Sequence, residues 1–195
     1  MLHSRKLFVG GGLVASLVLA AFGIASIVVG FRGISEVRDT LAEENIVAPA
    51  DSTIPGQKVD TGSEARAQAD IMREHTLKSS GGLTYAEMGR YRVADGNPAG
   101  TNDAALAAKD ANGKPVSNPV RDLWVTETAL STALNVSYFA EQVGMFAIVM
   151  GVALLLTGIG FAVLIWGALL HPALKKTRAS EHEQAAAGAA DMLKV

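Results

Sequence analysis

Two long runs without a charged side chain dominate the pattern of hydrophobic and polar positions along this chain. Residues 7–31 ("LFVGGGLVASLVLAAFGIASIVVGF") and 143–170 ("VGMFAIVMGVALLLTGIGFAVLIWGALL") contain no Asp, Glu, Lys or Arg. Each run exceeds the roughly 20 residues that a helix needs to cross a bilayer. We therefore predict two transmembrane helices. The first run is longer than the roughly 7–15 apolar residues of a cleavable signal, so we expect a retained anchor, with a cleaved leader as the alternative.

The polar segment after the first run starts with an amphipathic pattern. Ile34, Val37 and Leu41 lie at helical spacing among charged residues, which predicts that the first helix continues beyond the membrane as a stem. Pro49 and Pro55 interrupt this pattern, because proline is not compatible with a helix interior. A loop or linker is expected there.

A second stem is predicted to lead directly into the second run. Asn118 and Pro119 suit its start, because Asn is a good N-cap and Pro fits the first helical position. Nothing between residues 120 and 170 breaks a helix, so stem and span form one rod of about 50 residues, roughly 75 Å long. The face expected to pack on the first stem comprises Val120, Leu123, Glu127, Leu130 and Leu134.

Short helices are predicted between the two stems. Thr61 with Glu64 and Thr84 with Glu87 have the spacing of a capping box, and "DAALAAKD" at 103–110 allows at most one more short helix. The predicted fold class is therefore an all-α membrane protein. Two long antiparallel helices form a transmembrane hairpin with extracytoplasmic helical stems, capped by two or three short helices and loops.

The distribution of basic residues predicts the orientation. Arg5 and Lys6 precede the first run, and Lys175, Lys176 and Arg178 follow the second, whereas residues 31–142 carry 11 basic and 16 acidic side chains. Since basic residues favour the cytoplasmic side, both termini are expected inside. The predicted organisation is a cytoplasmic N-terminus (1–6), a first transmembrane helix (7–31), an extracytoplasmic helical domain (32–142), a second transmembrane helix (143–170) and a disordered cytoplasmic tail (171–195).

Small residues recur every seven positions in both apolar runs. They are Ser16, Gly23 and Gly30 in the first run and Gly144, Gly151 and Gly158 in the second. In an antiparallel hairpin the pairs 30 with 144, 23 with 151 and 16 with 158 meet at three levels, and small residues allow close helix packing in lipid. These six residues are the predicted helix-packing face. Gly160 and Gly167 form a second packing face, which is free for a neighbouring subunit.

The sequence offers little catalytic chemistry. It has no cysteine and four histidines, of which only His75 lies in the central segment. A non-haem iron site needs two His and a carboxylate, and a catalytic zinc site usually needs three protein ligands. Nucleophile-elbow, phosphate-loop and zinc-helix motifs do not occur. We predict no catalytic, cofactor-binding or metal-binding residues, and we expect that the chain is not an enzyme.

The central segment is acidic, with a net charge of −5 over residues 31–142, which argues against a nucleic-acid partner. Its aromatic cluster outside the membrane margins is centred on Tyr85, Met88 and Tyr91. These residues, with the neighbouring loop 93–118, are the candidate partner or ligand surface. The expected partners are the lipid bilayer and either other membrane-protein subunits or further copies of the chain.

Several stretches resemble an uncharacterised family of small two-span membrane proteins from actinobacteria. They include "VRDTLAEENIVAP", "IPGQKVDTGSEARAQADIMREHTL", "GGLTYAEMGRY" and the segment from "WVTETALSTALNVSYF" through "LLLTGIGF". Members sometimes carry a ring-opening dioxygenase label, for which one central His is insufficient. The resemblance implies the plasma membrane of a Gram-positive-type bacterium and an outward-facing loop region.

Two functions are compatible with these features. The first is a structural or accessory subunit of an oligomer or of a larger membrane complex, such as a respiratory or envelope complex. The alternative is an extracytoplasmic sensor or ligand-binding module that signals through a partner.

Overall fold

The computed structural model describes the backbone of residues 2–192 and the side chains of residues 9–167. Its elements are α1 (Leu2–Glu43), α2 (Gly62–Ser79), a 3₁₀ turn (Tyr85–Glu87) and α3 (Pro119–Met192). The predicted cytoplasmic segments, 1–6 and 171–195, lie outside the residues described with side chains. The α3 helix is nevertheless assigned as far as Met192, and so includes most of the segment for which the sequence predicted disorder.

The protein is an all-α protein of membrane type. Over the described residues α1 and α3 each contain an apolar stretch long enough to cross a bilayer, within Val9–Glu43 and Pro119–Gly167. Few residues of these stretches are buried inside the chain, unlike the core helix of a soluble protein. Large apolar side chains such as Phe22, Val29 and Phe161 are exposed, as expected for helices that have lipid as their solvent.

The chain divides into two compact units. One, here called the span unit, comprises Met1–Val29 and Phe146–Val195, and the other, the loop unit, comprises Gly30–Met145. In the span unit α1 and α3 run antiparallel, because Gly12 lies against Ile165 and Gly23 lies against Gly151.

The loop unit has a small core at the junction of its three helices. Ala65 and Ala69 of α2 are buried against Leu41 of α1, Leu134 of α3 and Val59 of the connecting loop. Ala65 and Ala69 are almost fully buried, because a small side chain allows the α2 backbone to lie close to its neighbours.

The segment between α2 and α3 is irregular. Residues 103–110, for which the sequence allowed at most a short helix, form turns and isolated bridges such as Val93 to Ala107 and Lys109 to Pro115. Local side chains explain the difference, because Asp103 Oδ1 accepts from the Ala105 amide and Asp110 Oδ1 accepts from the Lys114 amide. Such bonds compete with helix formation.

The face of α3 that was predicted to pack on the first stem is only partly correct. Leu134 and Glu127 are buried as expected, but Leu123 and Leu130 are 43% and 51% exposed. The residue buried near the start of α3 is Trp124. Its indole is large and has one donor to satisfy, and Nε1 donates to the Leu83 carbonyl at 3.0 Å. Near the start of α3, Trp124 therefore takes the buried position that the sequence assigned to Leu123.

Candidate functional site

Close backbone packing between α1 and α3 is the first candidate feature of the span unit. A Cβ atom placed on Gly151 would lie 2.7 Å from the Gly23 carbonyl oxygen, and one on Gly158 would lie 2.9 Å from the Ser16 carbonyl oxygen. The Ser16 hydroxyl donates to the Gly158 carbonyl at 2.6 Å. In lipid such van der Waals contact and interhelical hydrogen bonding hold helices together.

The other glycines of the two predicted packing faces behave differently from one another. In the loop unit a Cβ atom on Gly144 would lie 3.1 Å from the Gly30 carbonyl oxygen, so these two residues are also brought together. In the span unit a Cβ atom on Gly160 or Gly167 would have no neighbour within 4 Å. These two glycines therefore face away from the helix pair within the described chain.

A buried carboxylate joins the helices of the loop unit. Glu141 of α3 accepts from Arg38 of α1 at 2.5 Å and from the backbone N–H of Gly62, the first residue of α2. An unpaired N–H at a helix start favours an anionic acceptor. The hydrogen bond and charge of Glu141 raise the pKa of Arg38 above its usual value.

In the loop unit, Asn118 and Trp124 connect the start of α3 to the irregular segment between α2 and α3. Asn118 Oδ1 accepts from the Val120 amide, while its Nδ2 donates to the carbonyls of Gly89 and Pro98. The residue is thus both the predicted cap of α3 and a clamp on the irregular segment. The guanidinium of Arg73 lies 5.3 Å from the centroid of the Trp124 ring, within the range of a cation–π contact.

The three residues of the predicted partner or ligand surface are not equally accessible. Tyr85 is exposed, but the guanidinium of Arg121 lies 4.0 Å from its ring centroid. Tyr91 is half-buried, and Met88 is buried. Met88 is therefore part of the local packing, and Tyr85 is the member of this cluster that offers a free surface. His75 of α2 is paired with Asp51 at 2.7 Å.

An apolar groove lies where α1, α2 and α3 meet in the loop unit. Its volume is about 480 Å³, within the roughly 300–1,000 Å³ typical of ligand pockets. Gln68 lies in its wall, and the Gln68 Oε1 atom is buried without a hydrogen-bond partner among the described residues. The apolar lining comes mainly from Leu41, Ile46, Met72, Leu130 and Leu134. Sequence reasoning missed this groove, since it depends on how three separate segments are packed.

The most unusual surface of the loop unit is the outer face of α3. Between residues 123 and 143 the carboxylates Glu127 and Glu141 are 5% and 8% exposed, whereas Val136 and Phe139 are 58% and 67% exposed. A helix in a water-soluble protein has the opposite arrangement, with apolar residues inside and charged residues outside. The sequence contains a signal for this arrangement. Glu127, Leu134 and Glu141 recur every seven residues, as Gly144, Gly151 and Gly158 do.

Among the residues that the structure describes, no group of three or more His, Cys, Asp or Glu side chains is placed to hold a metal ion. Comparison of the chain with known protein families, with curated proteins and with solved structures found no match. The arrangement of the described side chains is therefore the basis for a functional proposal.

Proposed function

We propose that this chain is a non-enzymatic integral membrane protein that serves as a structural or accessory subunit of an oligomer or of a larger membrane complex, such as a respiratory or envelope complex. The observation that carries the proposal is the outer face of α3 in the loop unit. There, between residues 123 and 143, large apolar side chains such as Val136 and Phe139 are exposed while Glu127 and Glu141 are turned inward. Contiguous exposed apolar surface marks interaction sites.

The free energy gained by burying apolar surface favours the binding of a partner protein. Each Å² of apolar surface removed from water contributes about 25 cal/mol, so an exposed row of Val and Phe gains substantially when another protein covers it. A matching row of acidic residues on the outside would have kept α3 soluble on its own. The placement of Glu127 and Glu141 toward the core removes that possibility.

The proposed location is the plasma membrane of a bacterium, with both termini cytoplasmic and the loop unit outside. The two apolar helices support a membrane location. The basic residues that flank the apolar runs and the acidic segment between them support the orientation. The resemblance to small two-span actinobacterial proteins agrees with this placement.

Native electrophoresis tests the proposal. The full chain is extracted from membranes with a mild detergent, and the expected result is a species of at least twice the chain's 20.3 kDa after correction for detergent. Identification of the protein components by mass spectrometry then gives the composition of the complex. A monodisperse monomer with no co-migrating protein would contradict the proposal.

The groove in the loop unit supports the runner-up, an extracytoplasmic sensor or ligand-binding module. A ligand with an apolar body and one hydrogen-bond donor would match the apolar walls and the unpaired Gln68 Oε1. The test is the shift in unfolding temperature of the full chain in detergent when a long-chain alcohol such as oleyl alcohol is added, because its hydroxyl group can donate to Gln68 Oε1. Ala133→Trp, which fills the groove, should abolish the shift, whereas Leu123→Trp, outside the groove, should leave it unchanged.

A further inference from the structure

In the loop unit, one exposed row on α3 has the spacing of a heptad. Alternating steps of four and three from residue 125 to residue 143 give six residues, all of them exposed, and this set is here called the α3 seam. Leu123 and Leu130 are exposed outside this row. This is the spacing of a and d positions in a left-handed coiled coil. The members of the α3 seam are Val125, Ala129, Thr132, Val136, Phe139 and Val143.

Opposite the α3 seam lies the face that the chain already uses. Glu127, Leu134 and Glu141 are spaced by seven, are buried, and occupy the f position of the same heptad. The f position is the one farthest from an a/d seam. The internal packing of the loop unit therefore leaves the α3 seam clear for a second helix.

No charge interferes with pairing along the α3 seam. The flanking e and g positions in a coiled coil decide which partners are tolerated, and like charges there oppose self-association. In this chain they are uncharged, and several are small. The e positions are Thr126, Ala133 and Ala140, and the g positions are Thr128, Asn135 and Gln142.

Lipid is a poor explanation for the exposure of the α3 seam. Arg38 and Glu141 form an ion pair in which Arg38 is half-exposed, and ionised groups are costly in the hydrocarbon core of a bilayer. Val136 precedes Glu141 by five residues in α3, so it lies about 7.5 Å farther than Glu141 from the apolar run along the helix axis. The α3 seam from Val125 to Val136 thus extends beyond this charged layer and needs a protein cover.

We propose that the α3 seam is the dimer interface of this protein and that its occupant is the α3 seam of a second copy, in parallel. This inference rests on the proposed function and names the partner. Copies inserted in the same direction are parallel by necessity, and a two-fold axis places each residue opposite its equivalent. Val136 and Val143 occupy a positions, where β-branched residues favour two-stranded pairing.

The heptad register continues into the span unit. Counted in the same steps, Gly160 and Gly167 are d positions, and both lack neighbouring atoms within 4 Å. Glycine at a helix surface in lipid allows a second helix to approach closely. Gly160 and Gly167 are therefore available to a neighbouring helix in the span unit.

Cysteine cross-linking tests the proposal, because the chain has no cysteine of its own. Single variants Val136→Cys and Val143→Cys of the full chain are oxidised in native membranes. Both should form a disulfide-linked dimer at twice the mass of the chain. Leu123→Cys, comparably exposed on α3 but off the α3 seam and outside the groove, is the matched control, and we expect its dimer yield to be at least about fivefold lower.

The outcomes separate this proposal from the proposed function. Equal cross-linking at positions 123, 136 and 143 would mean random collision and would overturn the proposed dimer interface. A cross-linked product of another mass would show that a different protein lies on the α3 seam. That result would refute the dimer interface but would agree with an accessory subunit of a larger complex. Absence of any cross-link, combined with a monomer in native electrophoresis, would overturn both.

Discussion

Glu141 is buried in the loop unit and receives hydrogen bonds from Arg38 and from the first backbone N–H of α2. One carboxylate therefore connects α1, α2 and α3. Arg38 is half-exposed, so solvent weakens the contribution of its ion pair to stability. The Gly62 N–H is buried and has no water to replace a lost acceptor.

Replacement of Glu141 by Ala should lower the free energy of unfolding by about 2–4 kcal/mol, because it leaves Gly62 N–H and Arg38 without their partner. Glu141→Gln should cost less, since an amide oxygen still accepts from Gly62. Thermal unfolding of the full chain in detergent, followed by circular dichroism, measures both. Arg66→Ala breaks an exposed pair with Asp70 and should change stability by less than about 0.5 kcal/mol. Equal losses in Glu141→Ala and Arg66→Ala would contradict this role.

Glu64 caps α2 through a reciprocal arrangement with Thr61. Burial raises the pKa of Glu64, but hydrogen bonds from the Asp60 and Thr61 amides and the Thr61 side chain outweigh burial and hold the pKa below its ordinary value. Since the pKa is lower in the folded state, the stability contributed by Glu64 is present above the pKa of the unfolded chain. It is lost as pH falls through the folded pKa.

The acid sensitivity of α2 should therefore be smaller in Glu64→Gln than in the unmodified chain. The measurement is the unfolding temperature of the full chain between pH 7 and about pH 3, with the two profiles converging at the acid end. Glu74→Gln, on the same helix but away from its cap, controls for the loss of one carboxylate. Parallel acid profiles for the unmodified chain and Glu64→Gln would rule out this contribution of the cap.

At the level of secondary-structure elements, the association of α1 with α3 in the span unit depends on the absence of side chains at the glycines between the two helices. A side chain at position 151 would meet the Gly23 carbonyl and Ile27, whereas one at position 160 would meet nothing within 4 Å. The two positions lie on the same helix and differ in this respect alone.

Gly151→Leu should therefore disrupt the helix pair, at a cost of at least about 1–3 kcal/mol from overpacking. Gly160→Leu should leave the fold of a single chain unchanged. Unfolding in mixed micelles of mild detergent and sodium dodecyl sulfate, followed by circular dichroism, compares the two variants with the unmodified chain. Similar stability losses in both would mean that close packing at Gly151 is not what holds the pair.

At the level of the whole molecule, α3 combines two functions on opposite faces. Its inner face holds the loop unit together through Leu134 and Glu141, while its outer face, the α3 seam, is free. Assembly can therefore be altered without loss of the monomer's fold.

Val136→Glu tests this separation. Two glutamates facing each other at an a position would repel, so the species seen in native electrophoresis should shift toward the monomer by about half in mass. The monomer itself should remain folded, because position 136 is exposed. Leu123→Glu adds the same charge off the α3 seam and outside the groove, and should leave the mass of the complex unchanged. A complex that persists in Val136→Glu, or dissociates equally in Leu123→Glu, would be incompatible with the α3 seam.

Local chemistry explains which predictions from sequence were accurate. The start of α2 at a Thr61–Glu64 capping box and the start of α3 after Asn118 depend on residues next to each other in the chain. The two apolar helices depend on hydropathy and length, which are also local. At 103–110 the sequence allowed at most a short helix, and none forms, because aspartate side chains there bond to nearby amides.

Residue periodicity alone determined that α3 carries seven-residue rows, but it did not determine which row faces the chain. Leu123 and Leu130 were expected inside and are exposed. Near the start of α3 the Trp124 indole occupies the inner face and finds its acceptor in Leu83, 41 residues away. The groove beside Gln68 and the contact of Glu141 with Gly62 likewise join segments distant in sequence. The sequence by itself determined the helices and their membrane character. Only the tertiary structure decided which faces are buried, because burial is settled by all the segments that compete for the same core.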